Sequence, residues 1–442
     1  MTAPDSGGAR DVRSEDAFDV AAMAGWLAAH AQDAGVDLTA VPEVRQFSGG
    51  VSNLTYLLRY PDGDLILRRP PKGTHAGSAH DMAREHRIQT ELGRVLPYVP
   101  RTVALCTDAG VIGTPFYVMQ RLVGPIPRTE LPPGVELDRD QVAALCRNVL
   151  DLLVGLHQVD LAGTGLADLG KGPGYVRRQV EGWSQRYRRA RTWNVGTFGS
   201  VMAWLAENQP ADRPHTLVHN DFRFDNVVLD PADPTRPIGL LDWELATVGD
   251  PLMDLAGALG YWVQADDGRL MQAFRRQPTH LPGMLTREQV VAYYCARTGT
   301  SVTAREWAWY EVFGLFRVAV IAQQVYARYL AKQTTNRQFR LFGVAVVVLA
   351  VLAVLLLSNA ALLGFGHRHR VPACAVAVSR DRVAQCGHRA SLVGDPSHLA
   401  EVRPAPGQRL PSCRDPSSQV GAGPRRKLVQ GGKDGRDVPG LQ

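Results

Sequence analysis

The sequence predicts an α+β architecture of two lobes, a small strand-rich N-lobe and a larger helical C-lobe. Three observations carry this. Within the first 120 residues, apolar runs bounded by turn residues read as strands around one helix. From about residue 137 the apolar positions switch to helical spacing. Inside the helical part, LVHNDFRFDNVVLD (217–230) sets His219, Asp221, Asp225 and Asn226 between two short strand-like runs.

Residues 1–16 are polar, lack the apolar core of a secretory signal, and are expected to be disordered. Ala17–Ala34 reads as a helix with Met23, Trp26 and Leu27 on one face and Gly35 ending it. Leu54–Tyr60 and Leu65–Arg68 read as strands joined by the turn Pro61-Asp62-Gly63-Asp64. AHDMAREHRIQTEL (79–92) is a helix, and two apolar runs follow, the second Phe116–Met119. An N-lobe over 17–124 results. The C-lobe, 125–340, opens on a helix whose Val142, Leu145, Cys146, Val149, Leu152, Leu153 and Leu156 share one face. His157 at its end is expected to be a structural hydrogen-bonding residue. Ile238–Leu241 is a further strand.

The formal net charge of +6 is uneven. Residues 366–442 carry +7 and the remainder −1, so the basic pI belongs to the tail and gives no reason to expect a nucleic-acid partner. That tail holds no Phe, Trp or Tyr, and is expected to be disordered. No pair among the six cysteines has zinc-ligand or redox spacing, so reduced thiols in a cytoplasmic protein are expected. Leu341–Leu357 is 17 residues without a polar side chain. The apolar segment 341–365 is long enough to cross a membrane, although this kind of fold also ends in a helix packed on the large lobe. A soluble protein with a frayed, aggregation-prone C-terminus is expected rather than a membrane anchor.

Phosphoryl transfer needs a carboxylate to receive the acceptor proton, oxygen ligands for Mg2+, and cationic and backbone donors around the phosphates. Asp221 precedes Asn226 by five residues, the spacing of the kinase loop H-R-D-x-x-x-x-N, with His219 at the histidine position. Asp242 ends the strand sixteen residues after Asn226 and could hold magnesium with it. Ser48, Gly49, Gly50, Ser52 and Asn53 form a glycine-rich entry to a hairpin, suited to donating to phosphate. Arg68 ends a strand where such kinases carry a phosphate-gripping lysine, and Glu85 on the next helix is placed to pair with it. Glu244 reads equally as a second metal ligand or as a charge on a strand exit.

These stretches, with LILRRPPKG, VIGTPFYVMQRLVG and LLDWELATVGDPLMDLA, resemble the aminoglycoside phosphotransferase-type kinases, small-molecule relatives of protein kinases, over roughly residues 17–340. The branch resembled is the one found alone in bacteria or fused ahead of acyl-CoA dehydrogenase domains. The resemblance implies a bilobal protein-kinase-like fold, ATP and Mg2+ as cofactors, and Asp221 as catalytic base. It implies Asn226 and Asp242 as metal ligands, Gln120–Leu122 as the hinge that reads adenine, and Asp250 as a brace of the catalytic loop. Asn220 stands where H-G-D has glycine, and Arg68 where many relatives have lysine.

An ATP- and Mg2+-dependent kinase acting on a small-molecule hydroxyl is therefore expected. Non-catalytic nucleotide binding is the alternative of another class. KGPGYVRRQVEGWSQRYRRARTW (171–193) carries seven cations against Glu181 alone, with Val176, Val180, Trp183 and Tyr187 on one helical face. Arg178, Trp183 and Tyr187 are candidate acceptor residues. A basic cleft suits an anionic hydroxy acid or hydroxyacyl-CoA better than an aminoglycoside, the alternative acceptor.

Overall fold

The computed structural model describes residues 8–31, 33–47, 53–71, 81–334 and 337–365. The chain divides into a unit over Met1–Val376 and a second, Ala377–Gln442, which lies wholly outside the described residues. The tail 366–442, expected to be disordered, also lies outside them.

Six antiparallel strands build the N-lobe: β1 (Ala9–Arg10), β2 (Glu43–Phe47), β3 (Leu54–Tyr60), β4 (Gly63–Arg69), β5 (Thr102–Cys106) and β6 (Phe116–Gln120). Their order is β1-β2-β3-β4-β6-β5. Tyr60 pairs with Gly63, so the hairpin turn is Pro61-Asp62 alone, tighter than the four-residue turn expected. Both faces of the sheet are covered. Met23 and Leu27 of α1 (Val20–His30) pack with Tyr56, Leu58, Leu65 and Leu67. On the other face Leu57, Ile66, Tyr117 and Met119 meet Met82 of α2 (Met82–Leu92). Covering both faces explains why β3 is nearly continuous in apolar residues instead of alternating. Both helices are shorter than the sequence suggests because aspartates cap them. Asp19 accepts from Ala22 N at 2.9 Å, and Asp81 from Arg84 N at 2.9 Å.

The N-terminal segment departs from expectation. Residues 8–16 are structured, with Ala9 paired to Phe47 and Asp16 buried. The cause is Arg69, fully buried among the rings of Phe18 and Tyr56. A guanidinium there needs oxygen acceptors. The Asp16 carbonyl and the Tyr56 hydroxyl supply them, and Gln46 Nε2 holds the Asp16 carboxylate at 2.8 Å.

A single turn, α3 (Ala109–Ile112), leads into β6. The C-lobe comprises α4 (Arg139–His157), α5 (Tyr175–Ala190), α6 (Gly199–Glu207), α7 (Pro251–Leu259), α8 (Arg269–Ala273), α9 (Arg287–Thr298), α10 (Ala304–Leu330) and α11 (Phe342–Phe365). Two short ribbons stand among them. β7 (Thr216–Val218) pairs with β10 (Thr247–Gly249), and β8 (Val227–Leu229) with β9 (Pro237–Leu240), both antiparallel. One apolar core joins Leu145, Leu153, Phe224, Trp243, Leu255, Tyr310 and Phe316, and takes in Ile88 and Leu92 from α2. Thus α2 packs on both the sheet and the C-lobe.

α11 lies along α10, with Ala345, Val346, Leu349 and Ala353 buried. Val344, Val347, Val351, Val354 and Leu355 are exposed on its other side. By length and composition, Arg337–Leu357 could also cross a membrane.

Candidate active site

The loop 219–226 hangs between β7 and β8, and the segment holding Asp242 leaves β9. Leu241 N donates to the Asn226 carbonyl at 2.8 Å, so Asn226 and the residue before Asp242 are joined through the backbone. The side chains then converge. Asn226 Nδ2 donates to the Asp221 carbonyl at 2.8 Å, which leaves its Oδ1 as the available oxygen. Asp221 is partly exposed, with Arg223 Nη2 3.3 Å from its carboxylate.

His219 was expected among the catalytic groups, and its geometry corrects that. The residue is fully buried. Its Nδ1 accepts from Asp221 N at 3.2 Å and its Nε2 donates to the Leu241 carbonyl at 3.0 Å. Both ring nitrogens serve the backbone, so the imidazole shapes the loop and does not reach a reactant. Asn220 sits at φ 63°, the left-handed region that glycine adopts freely and that asparagine, the least penalised alternative, tolerates. Its side chain adds a bond that glycine cannot make, Nδ2 to the Leu245 carbonyl at 3.1 Å.

Asp250 was expected to brace this loop. It instead caps α7 through Leu252 N at 2.8 Å and accepts from the Tyr310 hydroxyl at 2.7 Å. The brace is Asp254, one helical turn on, which accepts from the backbone N–H of both His219 and Asn220. His157 Nε2 donates to the same carboxylate at 3.1 Å, and Tyr294 holds the other ring nitrogen at 2.7 Å. Burial alone would raise the Asp254 carboxyl. The bonds and charge from His157 and His219 outweigh it and hold the group below its ordinary 3.8. Arg317 of α10 completes the support by donating to the Asn220 carbonyl. The available signal for Asp254 was a second aspartate at i+4 in an otherwise apolar helix, and Arg317 left no such trace.

Across the lobes Arg68 is the junction. Its guanidinium lies 3.2 Å from Glu85, 3.1 Å from Asp242 and 3.3 Å from Glu244. Burial opposes the charge, but Glu85, Asp242 and Glu244 together hold Arg68 firmly protonated. The Tyr117 hydroxyl donates to Glu85 at 2.9 Å and receives Gln89 Nε2 at 2.7 Å. Arg84 donates to the carbonyls of Glu244 and Ala246, fixing α2 to the segment after Asp242.

Ser48, Gly49, Gly50 and Ser52 lie outside the described residues. Asn53, expected to face phosphate, is buried with Nδ2 donating to Glu244 at 2.8 Å, because the C-lobe carboxylate draws it inward. Glu244 thus serves the lobe junction. At the hinge, the Gln120 N–H is already bonded to the Arg101 carbonyl at 2.8 Å, so Arg121 and Leu122 are left to present donors. Arg121 is tethered by an ion pair to Asp64. Gly124 passes so close to β8 that a Cβ would meet the Leu229 carbonyl at 1.9 Å.

Of the acceptor candidates, Tyr187 is core. It is fully buried against Phe198 and Phe316, with its hydroxyl on the Gly196 carbonyl at 2.5 Å. Arg178 folds back on its own helix start, donating to the carbonyls of Gly172 and Pro173. Trp183 is half-buried beside Arg317 and so lies near the loop.

Asn226 and Asp242 offer hard oxygen donors, and Asp242 is one-third exposed. Among the described residues no group of three or more His, Cys, Asp or Glu could hold a metal. A sparse pair of this kind fits Mg2+, which keeps waters and substrate oxygens in its shell.

The sequence profile of the phosphotransferase enzyme family (APH) matches residues 43–289, which include Arg68, Glu85, Asp221, Asn226, Asp242 and Asp254. The chain belongs to that family. Relatives include mouse (Mus musculus) acyl-CoA dehydrogenase family member 10, 37% identical over 303 residues, covering 68% of this chain and 28% of the relative. Human (Homo sapiens) acyl-CoA dehydrogenase family member 11 is 32% identical over 335 residues, covering 75% of this chain and 42% of its own length. The chain therefore spans under half of these curated relatives. A solved structure from Ralstonia eutropha JMP134, described as a candidate aminoglycoside phosphotransferase, is 27% identical with a TM-score of 0.65, covering 78% of this chain and 99% of that one. Choline kinase from Cryptosporidium parvum Iowa II, at 12% identity and TM-score 0.52 over 78% of this chain and 97% of its own, shares the bilobal kinase-like fold.

Proposed function

We propose that the chain transfers the γ-phosphoryl group of ATP to a hydroxyl of a small anionic molecule, a hydroxy acid or hydroxyacyl-CoA. The observation that carries this reading is the meeting of Asp221, Asn226 and Asp242 beside the Arg68–Glu85 pair. Asp221 orients the acceptor hydroxyl and takes its proton late, since an alcohol is not ionised beforehand. Asn226 Oδ1 and Asp242 would hold Mg2+, which when bound neutralises charge on the phosphates. Arg68, set by Glu85, keeps Asp242 in place and offers positive charge at the nucleotide side. Positioning and charge complementarity supply most of the acceleration in such a site.

Support for the anionic acceptor comes from the basic helix α5 and from relatives whose names carry acyl-CoA. The test is an ATP-consumption assay with a hydroxyacyl-CoA, its free hydroxy acid and kanamycin, with mass spectrometry of the product. A gain of one phosphoryl group on either anionic compound is expected. Robust turnover of kanamycin with none on the other two would sink this reading.

A further inference from the structure

We infer that Trp183, Arg186 and Arg317 form a subsite that recognises an oxyanion of the acceptor, a carboxylate or a phosphate. The inference rests on the kinase reading above and narrows it. Arg317 is only 7% exposed, yet it forms no ion pair with a carboxylate among the described residues. It donates to the Asn220 carbonyl and lies over the Trp183 ring, 5.4 Å from the centroid. α7 makes room for it at Gly257, where a Cβ would lie 2.3 Å from Nη1. A guanidinium taken out of water without a carboxylate counter-charge is costly, and an oxyanion is the kind of group whose charge-assisted hydrogen bonds offset that cost.

Arg186 lies over the same indole, 4.6 Å from its centroid, and has no carboxylate partner among the described residues either. Arg186 is itself exposed, and partial desolvation against the indole together with the charge of Arg317 weakens its hold on its own proton, so the two cations feel each other. Elsewhere on α5 the charges are used differently. Arg177 pairs with Glu181 at 3.6 Å, and Arg178 returns to its own helix start. Arg188 and Arg191 line a separate cavity of about 460 Å³ with Thr197, Gly199 and Met202.

The ring itself is fixed. Trp183 Nε1 donates to Gln179 at 3.2 Å, and Gly182 leaves the adjoining surface without a side chain. Tyr175, at the start of the same helix, reaches the Asn220 amide at 3.4 Å. α5 thus presents the edge from Tyr175 to Arg186 beside the residue that precedes Asp221. An oxyanion shared by the two guanidiniums relieves their repulsion. It also bears on the Asn220 carbonyl through Arg317, so Arg317 is a positioning residue as well as a charge.

The test uses the full chain with a hydroxyacyl-CoA and the corresponding free hydroxy acid. Arg186→Gln is expected to raise KM for the preferred acceptor about tenfold or more, the worth of one charge-assisted hydrogen bond. It should leave kcat within about threefold, KM for ATP unchanged and Tm unchanged, and Arg186→Lys should recover part of the loss. Arg317→Lys should lower kcat as well. Calorimetric binding of each acceptor without ATP gives a readout independent of turnover. A tenfold effect on either compound supports the subsite, and the one that responds names the source of the oxyanion. Turnover of both with KM and binding unmoved by Arg186→Gln overturns the subsite and leaves the kinase reading standing. If only kanamycin or another polycation is phosphorylated, the functional reading itself has failed and the subsite with it.

Discussion

Asp254 Oδ2 accepts the backbone N–H of His219 at 2.6 Å, while Oδ1 accepts that of Asn220 at 2.8 Å. One buried carboxylate therefore sets the direction in which Asp221 leaves the loop. Asp254→Asn would replace one acceptor oxygen by a donor facing a donor. A loss of roughly 2–4 kcal/mol is expected, read from urea unfolding, because hydrogen bonds to a buried charged group exceed ordinary ones. The Asp254 carboxyl is depressed below 3.8, so its contribution is complete above that value and disappears as pH falls through the lower folded value. The Asn variant should lack this part of the acid loss; an unaltered acid limb would remove Asp254 from that role.

Asn220 tests the left-handed turn. Asn220→Ala should cost more than Asn220→Gly, by about 1 kcal/mol, since alanine at φ 63° carries the Cβ penalty. Both lose the bond to the Leu245 carbonyl, so both should loosen the link between the two loops. Equal melting temperatures for the pair would argue against strain at this position.

Asp221→Asn removes the candidate base while keeping its shape. Turnover should fall at least ~10²-fold with ATP affinity nearly intact. Single-turnover kinetics beside nucleotide titration separates the two, and near-wild-type turnover would exclude Asp221 as base.

Arg68→Met would leave Glu85 buried without its cation. Breaking such a pair costs about 3–5 kcal/mol, and Glu85→Gln in the same chain should return part of it. Chemical denaturation of the single and double variants measures this. Additive losses would mean that the two side chains do not act as a pair.

The apolar helix α11 is proposed to belong to the fold, because Val346, Leu349 and Ala353 are buried along α10. Alkaline carbonate should release the full chain from membranes. Retention of the full chain with release of a 1–340 truncation would identify an anchor instead.

Much of the site was legible because it is local. Asp221 and Asn226 lie on one loop between short strands, and spacing alone exposes them. The brace was not, since Asp250 and Asp254 begin the same helix and only packing tells which one faces the loop. Trp183 and Tyr187 stand four residues apart on a single helical face, so periodicity could not say which was core. The clasp of Arg69 on the Asp16 carbonyl joins residues 53 apart in sequence, and no periodic pattern records such a contact.

That clasp bears on where this protein can be cut. The family profile begins at residue 43 and ends at 289, yet the folding unit is wider on both sides. A fragment starting at 43 would strand the Arg69 guanidinium in an apolar interior without the Asp16 carbonyl. A fragment ending at 289 would discard Tyr310 and Arg317, which hold Asp250 and Asn220. Homology boundaries, used as expression boundaries, would here leave buried polar groups without the partners that the intact fold gives them.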